Sequence, residues 1–432
     1  MKNLVTDLAQ RPFVRHVATV FTGTAAAQAV TIAFAPWLTR VYGPEVFGLQ
    51  GVFLSIVGLL AVVAALGYPM AIVLPTRDAD AAVLARLSLA VGAATTTLVT
   101  IVLAVGGDHL LLQLRAEALR EFLWLLPVAM ATSVIAAVLG QWLVRVRSYG
   151  LAARFGVVTA VLVNAGKAGL GALQPTALVL IGTHVTATLV GTLLTGWAYR
   201  RSGRPFVDMA HATPWRELAH RHADFAFYRT PQNLINALSQ SLPVLLLAAN
   251  FGSAAAGQYA ITMAVLAMPV LLVGQSVQAV FYPRISEAIQ RGEDGRTMIA
   301  RTTGAMAAVG VWPFVVVLVA GPTLFAIAFG PEWRTAGVYA QWLAPWMFLQ
   351  YLNAPAVAAI PALRLQRGLL VYELFSTGAK VLALWAGYAM FADDVIAVAL
   401  FGAAGALAYV WLIAWVIRRS GPVRRTAAVN HT

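Results

Sequence analysis

The sequence predicts an all-α, polytopic membrane protein. It should have about twelve transmembrane helices in two pseudo-symmetric six-helix lobes, with both termini in the cytoplasm. Three observations carry that expectation. The 432-residue chain is 60% hydrophobic and only 11% charged, with a mean hydropathy of +0.77. A water-soluble protein of this size could not bury so much apolar surface. The apolar residues fall into stretches long enough to cross a bilayer, and the arginines fall at alternate ends of them. Finally, short motifs recur about half a chain apart.

The first lobe is expected at 1–199. Its spans read as 17–39, 47–75, 84–105, 122–144, 155–173 and 176–198, each near or above the ~20 residues that a bilayer core needs. The segment 200–229 follows as a cytoplasmic linker. It carries Arg200, Arg201, Arg204, Arg216, Arg221 and Arg229, and 213–222 can form a short amphipathic helix at the lipid surface. The second lobe is expected at 230–432, with spans at 231–249, 257–281, 302–320, 338–362, 368–391 and 394–417. Many spans contain proline, which kinks a helix but is tolerated where neighbours satisfy the freed carbonyls.

Orientation follows from charge. Of 30 lysines and arginines, only Arg40, Arg115, Arg120 and Arg334 fall on one side. Lys167 and Lys380 lie inside spans, and the other 24 share the opposite side with both termini. That asymmetry predicts cytoplasmic termini. The same placement reads the net charge of +13 as a topology signal and excludes nucleic acid as a partner.

Two sets of residues repeat. Leu38, Tyr42, Gly43 and Gly48 are matched by Leu247, Phe251, Gly252 and Gly257, each 209 residues later. Arg154 and Lys167 are matched by Arg367 and Lys380, 213 residues later. A six-helix repeat is even, so both lobes share one orientation, and their pseudo-twofold axis should lie along the membrane normal.

Lys167 and Lys380 are two of only three lysines in the chain. A lysine inside a membrane helix costs roughly 2.5–3.5 kcal/mol on insertion scales and by default marks a ligand path. Two at matching places suggest a cationic cavity for an anionic cargo, and lysine binds phosphate as a point charge. Arg154, Arg229, Arg284 and Arg367 would sit at the cytoplasmic mouth, and Asn164 one turn before Lys167 could orient it. The bland alternative pairs the lysine within the bundle, for example Lys380 with Glu373. Glu373, His184 and Asp224 are the ion-coupling candidates. Further amides inside spans, Gln28, Asn233, Asn236, Gln240, Gln275, Gln278, Gln350 and Asn353, either glue helices together or line a hydrophilic cavity.

No catalytic constellation, metal set or phosphate-cradling glycine loop is apparent, and the chain has no cysteine. No cofactor is expected. The longest outer loops, 106–121 and 321–337, are too short to house a catalytic domain.

Five segments complete the reading: LTRVYGPEVFG (38–48), QWLVRVRSYGLAAR (141–154), YRTPQNLINALSQSLP (228–243), FYPRISEA (281–288) and FGPEWRTAGVYAQWLAP (329–345). With the twelve spans, they resemble the polysaccharide-biosynthesis flippases, the Wzx or O-antigen translocase family of the multidrug/oligosaccharidyl-lipid/polysaccharide exporter superfamily. The resemblance implies a non-enzymatic transporter in the bacterial cytoplasmic membrane. It would move an undecaprenyl-pyrophosphate-linked oligosaccharide from the inner to the outer leaflet by alternating access, for O-antigen, capsule or exopolysaccharide export. Membrane lipids are implied partners, and a polysaccharide polymerase and co-polymerase are further ones. The alternatives are an ion-coupled multidrug antiporter of the same superfamily and a membrane-embedded polymerase or ligase.

Overall fold

The computed structural model describes residues 12–113, 117–202, 212–291, 293–363 and 365–421. Arg11, Arg115, Arg204 and Arg364 lie outside them, as do the side chains of Gln275 and Gln278. Among the described residues every regular element is helical. Ten helices are long and apolar enough to cross a membrane. The first, Thr22–Ala64, is 43 residues, about 65 Å if straight and twice a ~30 Å bilayer core. It breaks at Gly43 (φ 67°, ψ 170°) into two membrane-length segments. The 19-residue helix Arg334–Leu352 is not among the ten. The protein is a multi-pass, all-α membrane protein.

Contacts divide the chain into two compact units, Met1–Gly257 and Gln258–Thr432. In the first unit lie α1 (Pro12–Ala64), α2 (Tyr68–Ala71), α3 (Asp78–Gln113), α4 (Leu125–Arg145), α5 (Tyr149–Leu173), α6 (Ala177–Arg201), α7 (Trp215–Arg221) and α8 (Thr230–Phe251). Helix α9 (Ser253–Gln290) begins there. The second span ends earlier than the sequence suggests, at Ala64, because Leu66 and Gly67 both take left-handed backbone. Helix α1 packs chiefly against α5 and α8, and α5 against α6.

The turns after α2 are held by one arginine. Arg145 donates to the carbonyls of Ile72 (3.0 Å) and Pro75 (2.8 Å) and pairs with Asp78 (2.7 Å). The segment leading into α7 is fastened to the same place. The Thr213 amide donates to Asp80 (2.8 Å), Arg77 donates to Thr213 Oγ1 (2.7 Å), and Tyr68 donates to the Ala219 carbonyl (3.3 Å). Leu218 buries among Tyr68, Ile72, Leu84 and Val138, while Trp215 is exposed with Arg216 over its ring at 5.5 Å. The amphipathic helix expected at 213–222 is therefore a docked element of this unit.

One corner explains the repeated glycines. Gly43 and Gly252 both have positive φ (67° and 91°), backbone that glycine adopts without steric cost. Five residues after each, a second glycine makes a close crossing. A Cβ on Gly48 would strike the Ser253 carbonyl, and one on Gly257 would strike the Pro44 carbonyl. Ser253 is 209 residues after Pro44, as Gly257 is after Gly48. The contact is thus reciprocal: each repeat places its glycine on the other's equivalent carbonyl.

The second unit completes α9 and holds α10 (Gly295–Phe329), α11 (Arg334–Leu352), α12 (Ala354–Ala359), α13 (Gln366–Phe391) and α14 (Asp394–Arg419). Asp294 caps α10. It accepts from Thr297 Oγ1 (2.7 Å) and the Arg296 amide (3.0 Å), which hold its carboxyl below the usual carboxylate range. Gln258 spans the turn before α11, donating to the Glu332 carbonyl (2.7 Å) and accepting from the Ala336 amide (2.8 Å). Tyr339 donates to Asp394 at 2.6 Å. Gly321 and Gly337 let α10 and α11 approach backbone to backbone, the usual means of packing helices in lipid.

Candidate functional site

In the first unit the site is built on α5, α1 and α6. Lys167 sits on α5 and is 7% exposed. Among the described residues no carboxylate lies within ion-pair distance of it. Its own carbonyl accepts a hydrogen bond from Tyr42 of α1 at 2.8 Å. Gly171, one turn on, leaves room for the Tyr42 ring, which any Cβ there would strike. The helix that carries the lysine is thereby pinned to the Gly43 corner. Asn164 does not bind Lys167. It donates to the Ala160 carbonyl (2.7 Å) and to Thr31 Oγ1 of α1 (3.3 Å). His184 of α6 is near enough to feel the lysine's charge, and its Nδ1 is buried with no hydrogen-bond partner among the described residues. The result is a buried cation beside a second basic side chain, with hydroxyl and amide neighbours and no counter-ion.

In the second unit Lys380 of α13 is half-buried. Its Nζ lies over the rings of Trp346 (5.4 Å) and Phe401 (5.8 Å), which meet edge to face at 5.2 Å. Trp346 Nε1 is buried without a partner among the described residues. Glu373 is half-buried on the same helix and makes no ion pair with Lys380. The bland pairing considered from sequence is therefore absent.

The arginines are all exposed: Arg154 on α5, Arg229 just before α8, Arg284 on α9 and Arg367 on α13. Arg229 donates to Gln232 Oε1 at 3.0 Å. Asp224 is exposed ahead of a π turn at Phe225–Arg229. The structure thus gathers Lys167, Asn164 and His184 in one neighbourhood, and places Lys380 over two aromatic rings. Sequence reasoning missed Tyr42, Thr31, Trp346 and Phe401 because they reach the site from other helices. Only Tyr42 carried a signal, its place in the repeated corner motif. Among the described residues no group of three or more His, Asp or Glu side chains could hold a metal.

Comparison with known proteins places this architecture. The family model described as polysaccharide biosynthesis protein matches residues 37–337. The chain belongs to that family. The chain shares its fold with transporters of the MOP superfamily. An inward-facing multidrug-resistance MATE family transporter aligns with a TM-score of 0.74 at 16% identity, over 93% of this chain and 96% of that one. The lipid II flippase MurJ, in an inward closed conformation, gives 0.66 at 10% identity over 93% and 87%. A MOP-superfamily transporter from Pyrococcus furiosus gives 0.60 at 14% over 94% of each chain, and its structure is described as having a binding pocket of reverse polarity that suggests a different function. No curated protein sequence matches.

Proposed function

We propose that this polysaccharide biosynthesis protein is a flippase for an undecaprenyl-pyrophosphate-linked oligosaccharide, moving it from the inner to the outer leaflet of the bacterial cytoplasmic membrane. The observation that carries this reading is Lys167, a buried lysine within a membrane span and without a carboxylate partner. Its insertion cost of roughly 2.5–3.5 kcal/mol is unrecovered until an anion arrives. Lys380, half-buried over two aromatic rings, is a second lysine within a span and likewise has no carboxylate at ion-pair distance among the described residues. The exposed Arg154, Arg229, Arg284 and Arg367 draw the anion in from the cytoplasmic face, where the arginine bias puts the termini. The lipid tail stays in the bilayer. Glu373, His184 and Asp224 are the groups through which an ion gradient would drive the cycle. The fold shared with a lipid II flippase supports this cargo class. A multidrug antiporter for organic cations would need carboxylates where this chain has lysines. A polymerase or ligase would need a catalytic outer domain.

The test is translocation of a labelled polyprenyl-pyrophosphate oligosaccharide in proteoliposomes. Wild type should flip it, and the folded Lys167→Ala/Lys380→Ala protein should lose at least about tenfold in rate, the size of one charge-assisted contact. Undiminished flipping by the double variant would overturn the lysine mechanism.

A further inference from the structure

Helix α8 has an inverted surface for a membrane helix. Between Gln232 and Asn250 only three of its side chains are exposed, and all three are amides: Gln232, Asn236 and Gln240. They recur every four residues, so they form one stripe about 80° wide that rises ~6 Å per step. A helix facing lipid shows the opposite pattern, because an amide in hydrocarbon leaves donors and acceptors unmet at several kcal/mol. Asn236 and Gln240 make no hydrogen bond within the described residues, and Gln232 only accepts from Arg229. The polar side chains that do serve packing lie elsewhere on the helix. Asn233 contacts Met70, and Ser241 donates to the Ser55 carbonyl.

Helix α1, its counterpart in the repeat, has exposed residues on two faces, with Thr22 and Arg40 at the ends of the first. Ala26, Ala29, Ala33 and Trp37 form an exposed apolar stripe. Thr24, Gln28 and Thr31 form an exposed polar one, about 180° away around the helix. The two polar stripes also end alike. On the same face of α1, Leu38 and Tyr42 are buried, and on that of α8, Pro243 and Leu247 are buried. Each stripe therefore runs inward from the arginine-rich end of its helix and stops below its repeated glycine corner.

We propose that the stripe Gln232–Asn236–Gln240, continued by Gln28 on α1, is the surface that receives the sugar part of the cargo. The inference rests on the flippase reading above and assigns a second subsite to it. Carboxamides are uncharged, and each offers both donors and acceptors, which is the complement of a chain of hydroxyls. No charged side chain lies on α8 beyond Arg229, so an anion gains nothing there, whereas Lys167 and Lys380 offer it everything. Exchangeable, individually modest hydrogen bonds to amides would let a glycan move on without trapping it.

Two probes in proteoliposomes separate the subsites: a labelled polyprenyl pyrophosphate bearing an N-acetylglucosamine disaccharide, and the same lipid without sugar. The Gln232→Leu/Asn236→Leu/Gln240→Leu protein should flip the glycosylated probe about tenfold or more slowly, and the bare lipid within about twofold of wild type. The milder Asn236→Ala protein should fall between, with Asn236→Gln restored. An equal loss for both probes, in protein with a wild-type unfolding temperature, would make the amides packing residues and overturn the proposal, as would no loss for either. Lys167→Ala/Lys380→Ala should slow both probes alike. If it does not while the amide variant stays selective, the anion site fails and the sugar surface stands. A wild type that moves neither probe overturns both readings.

Discussion

The corner glycines and the deep lysines are both repeated at half-chain spacing, yet only the glycines keep equivalent surroundings. Gly43 and Gly252 share positive φ, and Gly48 and Gly257 each press on the carbonyl at the matching place in the other repeat. Lys167 and Lys380 share a register and little else. The first is buried beside His184 with its carbonyl held by Tyr42. The second is half-buried over two aromatic rings. The difference follows from what each feature must do. A two-fold contact between backbones constrains both partners identically. The surroundings of the two lysines are under no such constraint and are free to differ.

The largest expected effect breaks the symmetric feature. In Gly48→Ala or Gly257→Ala, the new Cβ meets a backbone carbonyl that cannot rotate away. Overpacking of this kind costs about 1–3 kcal/mol or more, so each variant should unfold at a clearly lower temperature than wild type. The two losses should match, as reciprocity demands. Gly58→Ala is the control, because a Cβ there meets nothing within 4 Å. Replacing a mid-helix glycine by alanine should stabilise by up to about 1 kcal/mol. Unequal losses at Gly48 and Gly257 would show that the corner is symmetric in geometry only.

The next effect sharpens the asymmetric feature. Lys167→Ala should slow flipping more than Lys380→Ala, because the Lys167 charge has no ring faces to solvate it and depends more on the cargo. A cation over an aromatic face is stabilised by about 0.5–2 kcal/mol. Trp346→Leu removes that support and should bring the Lys380 site closer to the Lys167 one. Its signature would be a several-fold change in affinity for inorganic pyrophosphate that disappears in the Lys380→Ala background. Equal rates in the two single lysine variants would erase the distinction.

The sequence made the architecture legible because membrane spans are written in long apolar runs and arginine placement, signals that survive without tertiary information. It also made the repeat legible, since left-handed backbone and close crossings restrict the corner to glycine. The contents of the site were less accessible. Trp346 and Phe401 reach Lys380 from α11 and α14, and no spacing along the chain announces a contact between helices. The amides of α8 were visible as residues, but their meaning lay in exposure. Asn233 and Asn236 read alike in sequence, and only the fold shows that one packs on Met70 while the other faces outward. The break of α2 from α1 was missed because Leu66 takes left-handed backbone, which no propensity favours.

The smallest effect asks whether the two features are coupled. Tyr42 precedes the Gly43 corner and donates to the carbonyl of Lys167, so it joins the symmetric contact to the asymmetric site. Tyr42→Phe keeps the ring against Gly171 and removes one hydrogen bond, a loss of about 1 kcal/mol and a drop of a few degrees or less in unfolding temperature. If the tyrosine only packs, flipping should be unchanged. If it registers α5 against the corner, Tyr42→Phe should slow flipping several-fold in wild-type background but add nothing in Lys167→Ala. That non-additivity is what a double-mutant cycle measures. The matching residue, Phe251, has no hydroxyl to give, so Phe251→Tyr should leave the Lys380 site untouched. A response there would mean the second corner communicates with its lysine by another route.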